Sequence, residues 1–251
     1  MAATNAKSPQ TIKVREKKVI LVHWFNALCW FLLIGSGLGI ISGDAVRLAP
    51  AFWPEFLQGL FRGNGNLVFT HAVVGLLWIG VLAVFIVLNL RRVVIPFLRE
   101  VLVLTPAAAL RDGWFMVVTI AHLFGLMKNA VVPPQGRYNG AQRLLGTLIV
   151  VASVAIALSG LYLFFAPKAL DFTAVPLYGA LFRWSLAIHA AAVFLVLIGL
   201  VAHIYFAVIE ERESLESMKS GYISVDFIRH HSPLWYQELE REGRLRGGQE
   251  G

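Results

Sequence analysis

The stretch FRWSLAIHAAAVFLVLIGLVAHIYFAVI, residues 182–209, decides the fold. It is long enough to cross the hydrocarbon core of a bilayer, which takes about 20 mainly apolar residues. It carries two histidines, His189 and His203, fourteen positions apart. On an α-helix that spacing gives a rise of about 21 Å and a phase difference of roughly 40° after nearly four turns. The two imidazoles are therefore predicted to lie on one face of one helix, at two depths.

The whole chain has the composition of an integral membrane protein. Of its 251 residues, 57% are hydrophobic and only 15% are charged, whereas soluble domains have about a quarter charged residues. Three further stretches reach spanning length, at residues 19–42, 66–90 and 142–166. The prediction is an all-α protein, an integral membrane four-helix bundle over residues 19–209. A polar arm, residues 1–18, precedes the bundle, and a polar tail, residues 210–251, follows it.

The basic residues indicate the orientation of these spans. With four spans, one side of the membrane receives all but four of the 22 Lys and Arg residues, the exceptions being Arg47, Arg62, Lys168 and Arg183. By the positive-inside rule that side is the cytoplasm, so both termini are predicted to be cytoplasmic. The net charge of +7 then reflects orientation, and no nucleic-acid partner is expected.

The segments between the spans are predicted from their length and their prolines. Residues 112–127 form an apolar run that is short for a span, so we expect a cytoplasmic amphipathic helix at the membrane interface. Residues 43–65 contain two prolines and several aromatic residues, which favours an interfacial connector. Residues 166–178 are predicted to be a short loop.

Four histidines within the spans fall at matching depths. His23 lies near the cytoplasmic start of the first span and His71 near the outer start of the second. The fourth span runs inward, so His189 lies in its outer half and His203 towards the cytoplasm. Depth therefore pairs His23 with His203 and His71 with His189. The alternative is that each imidazole is a packing residue that bonds to a neighbouring helix, although ionisable groups within spans are costly and usually functional.

Two imidazoles at each level favour haem over other metal groups. Zinc takes three or four ligands at one level, often with carboxylates, and the spans have no Asp or Glu near these histidines. The single cysteine, Cys29, offers no cysteine cluster. A porphyrin would fill the equatorial positions of an iron held by two imidazoles, and an iron with both axial positions filled transfers electrons. The remaining histidines are weaker candidates for haem ligands and are expected to make packing or subunit contacts. They are His122, His230 and His231.

The loop ahead of the third span, KNAVVPPQGRYNGAQR at residues 128–143, has two interpretations. Asn139 and Gln142 place hydrogen-bonding groups at the cytoplasmic membrane surface, level with His23 and His203, where they could bind a quinone head group. Asn139 could equally serve as the N-cap of the third span.

A Ser-Gly-Leu sequence occurs late in both the first and the third span, at residues 36–38 and 159–161. Small residues at these positions allow another helix or a flat cofactor to approach the backbone.

These residues resemble the cytochrome b (gamma) subunit of membrane-bound respiratory formate dehydrogenases, a dihaem cytochrome b561-like family. The resemblance rests on histidines in spans one, two and four, on PPQGRYNGAQ at residues 133–142, and on RHHSPLWYQEL at residues 229–239. The histidine pattern alone is shared with hydrogenase and thiosulfate reductase cytochromes b. The loop and the tail together favour the formate dehydrogenase type.

The resemblance implies cofactors and partners. It implies two haem b groups, with a menaquinone beside the inner one, near His203, Asn139 and Gln142. It also implies an iron–sulfur subunit and a molybdenum or tungsten catalytic subunit, with this chain in the bacterial inner membrane and without a formate-oxidising site of its own. Electrons would pass inward to a quinone. The alternatives are a hydrogenase or thiosulfate reductase-type cytochrome b and, from a different class, a haem-free transporter or scaffold.

Overall fold

A computed structural model of the chain describes residues 10–44, 47–126, 134–173 and 175–245. Ten α-helices and two short strands follow one another in these residues. They are β1 (Thr11–Lys13), α1 (Lys17–Ile40), α2 (Phe52–Leu60), α3 (Asn64–Asn89), α4 (Ile95–Val101), α5 (Pro106–Leu123), α6 (Gly140–Ala169), α7 (Pro176–Tyr205), α8 (Arg212–Ser220), β2 (Tyr222–Ser224), α9 (Val225–His231) and α10 (Pro233–Arg241).

Four helical segments are long and apolar enough to cross a membrane, as predicted. They are Lys17–Ile40, Asn64–Val101, Gly140–Ala169 and Pro176–Glu210. Large apolar side chains cover their outer faces, and Leu88 of α3, for example, is 76% exposed. Such a surface suits lipid and is too apolar for water. The all-α membrane class is therefore confirmed.

The second span does not end at residue 90, where the apolar run ends. A π-helical turn, Leu90–Val94, joins α3 directly to α4, and the helical segment continues to Val101. Arg91 and Arg92 lie on this turn and are exposed. Long basic side chains can reach out to the polar layer from a helix that continues past the apolar core, so these charges do not stop the helix.

The loop predicted at residues 166–178 is also shorter than expected. Helix α6 continues through Pro167 to Ala169, and α7 begins at Pro176. Proline at the first position of a helix is favourable because its missing N–H would have no partner there. Pro176, which was predicted to lie in the loop, thus starts α7, six residues before the predicted start of the span.

One compact unit consists of residues 21–92 and 148–200 and contains the bundle. All four long helices contribute to its buried core, through Cys29, Trp30, Trp78, Ala152, Ile156, Ala192 and Val196. Asn26 of α1 accepts hydrogen bonds from the indole N–H groups of Trp30 and Trp78, at 3.1 and 2.6 Å. The amide oxygen of Asn26 thereby accepts from two indole donors that would otherwise lack a partner in the bundle.

Helix α2, in the predicted connector, packs on the end of α1. Trp53 Nε1 donates to the carbonyl of Gly35 at 3.0 Å, and Gln58 Nε2 donates to that of Gly39 at 3.1 Å. The carbonyl of Gly39 is one of the last four of α1, which have no partner within the helix. The two donors fix α2 against the helix that precedes it.

The second unit combines the described residues between 93 and 147 with those between 10 and 20 and between 201 and 245. Strands β1 and β2 pair antiparallel, with Ile12 opposite Ile223. These two residues, with Val225, Ile228 and Leu239, form a small apolar core. The polar arm and tail are therefore partners in one folded unit. The domain limits given above remain predictions.

Helix α5 is the amphipathic helix expected between the second and third spans. It begins at Pro106, earlier than the predicted residue 112, because the Thr105 hydroxyl accepts a hydrogen bond from the N–H of Ala108 and caps its first turn. Phe115 and Val118 are buried, whereas Leu110 and Trp114 are exposed. A helix that buries some apolar side chains in the protein and exposes others suits a membrane interface. The location of α5 at the membrane surface remains a prediction.

Candidate haem-binding site

The structure brings His71 of α3 and His189 of α7 together inside the bundle unit. Their ring centres lie 6.4 Å apart, with the ring planes at 71°. Both side chains are partly buried. These two histidines were paired by depth in the sequence, and their assignment as ligands remains a prediction.

The separation of the two rings fits a shared metal. With a metal–imidazole nitrogen bond of about 2 Å on each side, two imidazoles that ligate one metal from opposite sides have ring centres roughly 6 Å apart. The observed 6.4 Å agrees with this value. Two imidazole nitrogens from facing helices are donors that would hold a haem iron. The residues present therefore fit haem b at this level.

Each of these imidazoles contacts a serine on the preceding spanning helix. Ser36 Oγ of α1 lies 2.8 Å from His71 Nδ1, and Ser159 Oγ of α6 lies 3.0 Å from His189 Nδ1. Both serines were seen in the sequence only as parts of the repeated Ser-Gly-Leu sequence. That repeat was the available signal, but it did not reveal which side chain each serine faces.

The glycine after each serine leaves room for the imidazole. A Cβ atom on Gly37 would lie 3.4 Å from His71 Cε1, and one on Gly160 would lie 3.3 Å from His189 Cε1. Either contact would be tight for a side chain in van der Waals packing. Both glycines therefore let the ring of the facing histidine approach the helix backbone closely.

The other two histidines lie in different units. His23 is near the start of α1, where its ring meets that of Trp24 edge-on at 5.5 Å. His203 is near the end of α7, in the unit that holds the polar ends of the chain, and is exposed to the surroundings of the protein. The pairing of His23 with His203 remains a prediction.

The loop residues Asn139 and Gln142 form a reciprocal cap at the start of α6. Asn139 Oδ1 accepts from the N–H of Gln142 at 2.8 Å, and Gln142 Oε1 accepts from the N–H of Asn139 at 3.1 Å. This is the arrangement of a capping box. The N-cap interpretation of Asn139 is therefore confirmed, and the quinone interpretation remains a prediction. Residues 127–133, which include Lys128 and Pro133 of the predicted loop, lie outside the described residues.

Glu211 is a carboxylate at this loop that the sequence did not single out. Gln142 Nε2 donates to Glu211 Oε2 at 3.0 Å. Burial raises the pKa of Glu211 above its ordinary value and Glu210 adds to this, while His231 and the hydrogen bond from Gln142 act in the opposite direction. The net result is a carboxyl group that holds a proton more readily than an exposed glutamate. Its position directly after a span was the only sequence signal.

The histidines that were weaker candidates have local partners. His230 Nδ1 lies 2.7 Å from the carbonyl oxygen of Asp226, and His231 stacks on Phe227 with ring centres 4.1 Å apart. His122 lies in the last turn of α5. The two contacts in α9 support packing roles in the polar unit.

Comparisons with known proteins agree with this architecture. The family model of the prokaryotic cytochrome b561 matches residues 14–221. The formate dehydrogenase cytochrome b556(fdo) subunit of Escherichia coli K12 is 24% identical, over 87% of this chain and 89% of its own length. The nitrate-inducible cytochrome b556(Fdn) subunit of the same organism is 28% identical over 46% of this chain and 51% of its own length, and the formate dehydrogenase cytochrome b556 subunit of Haemophilus influenzae is 25% identical over 43% and 42%. The chain therefore belongs to the prokaryotic cytochrome b561 family, a family of multi-pass, haem b-binding electron-transfer proteins of the bacterial inner membrane.

Proposed function

We propose that this chain is the cytochrome b subunit of a membrane-bound formate dehydrogenase and that it passes electrons from a partner outside the membrane to a quinone on the cytoplasmic side. The relatives named above are formate dehydrogenase subunits, and the first of them aligns with this chain over nearly its full length. The loop at residues 133–142 and the tail at residues 229–239 support the same type.

The observation that carries the proposal is the distance of 6.4 Å between the ring centres of His71 and His189. A haem b bound there would supply an iron that changes charge by one electron. His71 and His189 would hold it from α3 and α7. The apolar side chains of the bundle core would keep water away from it, which favours electron transfer over side reactions.

A second haem b would be held by His23 and His203, nearer the cytoplasm. We propose a quinone beside His203, Asn139 and Gln142, and the resemblance to formate dehydrogenase cytochromes b favours menaquinone. Electrons would enter at the level of His71 and His189 and leave at the level of His203. Each charge moved across the membrane changes the stored energy by about 2.3 kcal/mol per 100 mV, so this chain would contribute to the membrane potential.

The electron donor would be two further subunits. We propose an iron–sulfur subunit next to this chain and a catalytic subunit with molybdenum or tungsten, because the named relatives are subunits of formate dehydrogenases. This chain would supply no formate-oxidising group of its own. A hydrogenase or thiosulfate reductase-type partner is the alternative of the same class, and membership of a haem-binding family favours both over a haem-free transporter or scaffold.

Purification with its native partners tests this function. The protein is extracted from its own membranes in mild detergent, and the co-purifying subunits are identified by mass spectrometry. We expect an iron–sulfur subunit and a molybdenum or tungsten subunit, and formate should produce a reduced-minus-oxidised b-type spectrum. Reduction by hydrogen gas with no response to formate would instead indicate a hydrogenase partner. A preparation without any b-type spectrum would contradict the electron-transfer role.

Variants of Asn139 separate its capping role from a quinone role. Serine is also a good N-cap, so Asn139→Ser should keep stability, whereas Asn139→Ala should lose about 1 kcal/mol. If the amide also binds the quinone head group, both variants should slow haem reoxidation by a menaquinone analogue, by up to about tenfold for one lost hydrogen bond. Thr105→Ala removes the cap of α5 and is the matched control. Reoxidation in Asn139→Ser as fast as in Thr105→Ala would leave the cap as the only role.

A further inference from the structure

The hydroxyl groups of Ser36 and Ser159 each have two kinds of partner. Ser36 Oγ lies 2.6 Å from the carbonyl oxygen of Leu32, and Ser159 Oγ lies 2.6 Å from that of Ala155. A serine hydroxyl has one hydrogen, and a carbonyl oxygen can only accept. At this short distance the hydroxyl donates its hydrogen to the carbonyl, as serines in helices often do. The lone pairs of each serine oxygen remain available for another donor.

The second partner of each serine is a ring nitrogen of the facing histidine, His71 Nδ1 at 2.8 Å and His189 Nδ1 at 3.0 Å. We propose that both imidazoles carry their hydrogen on Nδ1 and donate it to Ser36 and Ser159, so that these serines are positioning residues that leave Nε2 of each ring for iron. A neutral imidazole has one donor and one acceptor nitrogen, and the bond made by one nitrogen fixes the role of the other. The inference rests on the proposed function, because the iron belongs to the haem of that site.

The same arrangement occurs twice in the bundle. Ser36 in α1 contacts the histidine of α3, and Ser159 in α6 contacts the histidine of α7. In both cases the next residue is a glycine whose missing side chain leaves room for Cε1 of that ring. Helix packing alone would explain the small residues. It would not explain why both serines meet the same ring nitrogen, on the two histidines whose rings lie 6.4 Å apart.

Loss of a serine hydroxyl should act on the metal through the ring. Without Oγ, Nδ1–H loses the serine as its acceptor, which is unfavourable inside the bundle. The His71 ring is then free to turn or to change tautomer, whereas the His189 ring keeps a hydrogen bond to the backbone of Ile156, so the smaller effect is expected for Ser159→Ala. Partners of metal-bound histidines typically contribute 10-fold to 100-fold to metal affinity. A hydrogen bond donated from Nδ1 also makes the ring a stronger electron donor, which stabilises oxidised iron. We therefore expect Ser36→Ala and Ser159→Ala to weaken haem retention about tenfold and to raise the midpoint potential.

The experiment compares five forms of the full-length protein, purified with its native subunits. They are the parent, Ser36→Ala, Ser159→Ala, Ser36→Thr and Ser153→Ala. Ser153 lies in α6, about 9 Å of helix rise before Ser159, so its replacement is the matched control. The measurements are haem content per chain, the low-spin ferric signals in electron paramagnetic resonance, and a redox titration of each haem band.

We expect both alanine variants to change the same one of the haem signals and to raise its potential, while the other signal stays as in the parent. Ser36→Thr keeps a hydroxyl and should restore the parent values. The inference would be overturned by alanine variants that match Ser153→Ala in all three measurements, or by a change that threonine does not reverse. A parent protein without any haem b would instead refute the proposed function.

Discussion

Replacing either His71 or His189 with alanine is expected to remove one haem b from each chain, and the same haem in both variants. Both rings approach one point between α3 and α7, and their 6.4 Å separation allows a single metal between them. An iron with one imidazole missing is held far less tightly, because each axial ligand is a direct bond to the metal. The measurement is haem content per chain together with the reduced-minus-oxidised spectrum, in which one of the b-type bands should disappear.

A cavity variant makes this test more direct. In His189→Gly the ring is absent and space for it remains, so added imidazole can enter and serve as the axial ligand. We expect imidazole to restore the lost band in His189→Gly and to have no effect on the parent. Restoration would attribute the loss to the missing ligand and exclude a general failure to fold.

Two further variants serve as controls for the pairing. His230→Ala changes a histidine of α9 whose Nδ1 lies beside the carbonyl of Asp226, and it should keep both haems. His203→Ala should remove the haem that His71→Ala keeps. If His71→Ala and His189→Ala removed different haems, the pairing by depth would be wrong.

The spans could be predicted from the sequence because apolar length is a local property of the chain. The ends of the spans could not be predicted in this way, because they depend on charged residues and prolines that lie outside the apolar run. Arg91 and Arg92 lie on a π-helical turn within the second span. Pro167 is accommodated in the last turn of α6, and Pro176 starts α7. Each of these residues is tolerated within a helix or at its first position, so none of them marks the boundary of a span that the sequence suggested.

The folding of the polar ends was not foreseen. Residues 1–18 and 210–251 were predicted only as an arm and a tail, yet Ile12 of β1 lies opposite Ile223 of β2. Such a pairing joins two strands of three residues each from opposite ends of the chain. Strands this short give little periodic signal, and their partner cannot be identified from local pattern alone.

For the candidate site, the sequence predicted residue types and depths better than contacts. The pairing of His71 with His189 by depth agrees with their proximity, although their ligation is still a prediction. The serine partners could not be assigned, because the side chain that Ser36 or Ser159 meets depends on how the helices pair. Asn139 had two interpretations because one side-chain oxygen can serve either as a cap or as a ligand-binding group, and the cap is observed.

Removal of the Asp112 carboxylate is expected to lower the free energy of unfolding by about 3 kcal/mol. Asp112 of α5 is only 3% exposed, and its Oδ2 lies 2.9 Å from Arg143 Nη1 of α6, in an ion pair without an aligned hydrogen bond. Arg143 Nε also donates to the carbonyl of Glu100, at the end of α4, at 3.1 Å. The contacts of Arg143 therefore connect α4, α5 and α6. In Asp112→Ala the charge of Arg143, which is 19% exposed, loses its counter-charge.

The neighbouring Arg111 provides the matched control. It also pairs with Asp112, at 3.0 Å, but its side chain is 61% exposed, so Arg111→Ala should change stability by no more than about 0.5 kcal/mol. Arg143→Ala should also be clearly destabilising, because it leaves the buried Asp112 carboxylate with only the exposed Arg111 as its ionic partner and removes the hydrogen bond to the carbonyl of Glu100. The double variant should therefore lose less than the sum of the two single losses. Thermal unfolding in detergent, followed by tryptophan fluorescence, measures all four variants. Additive losses, or equal effects of Arg111→Ala and Arg143→Ala, would show that burial of this ion pair does not determine how strongly α5 is held to α6.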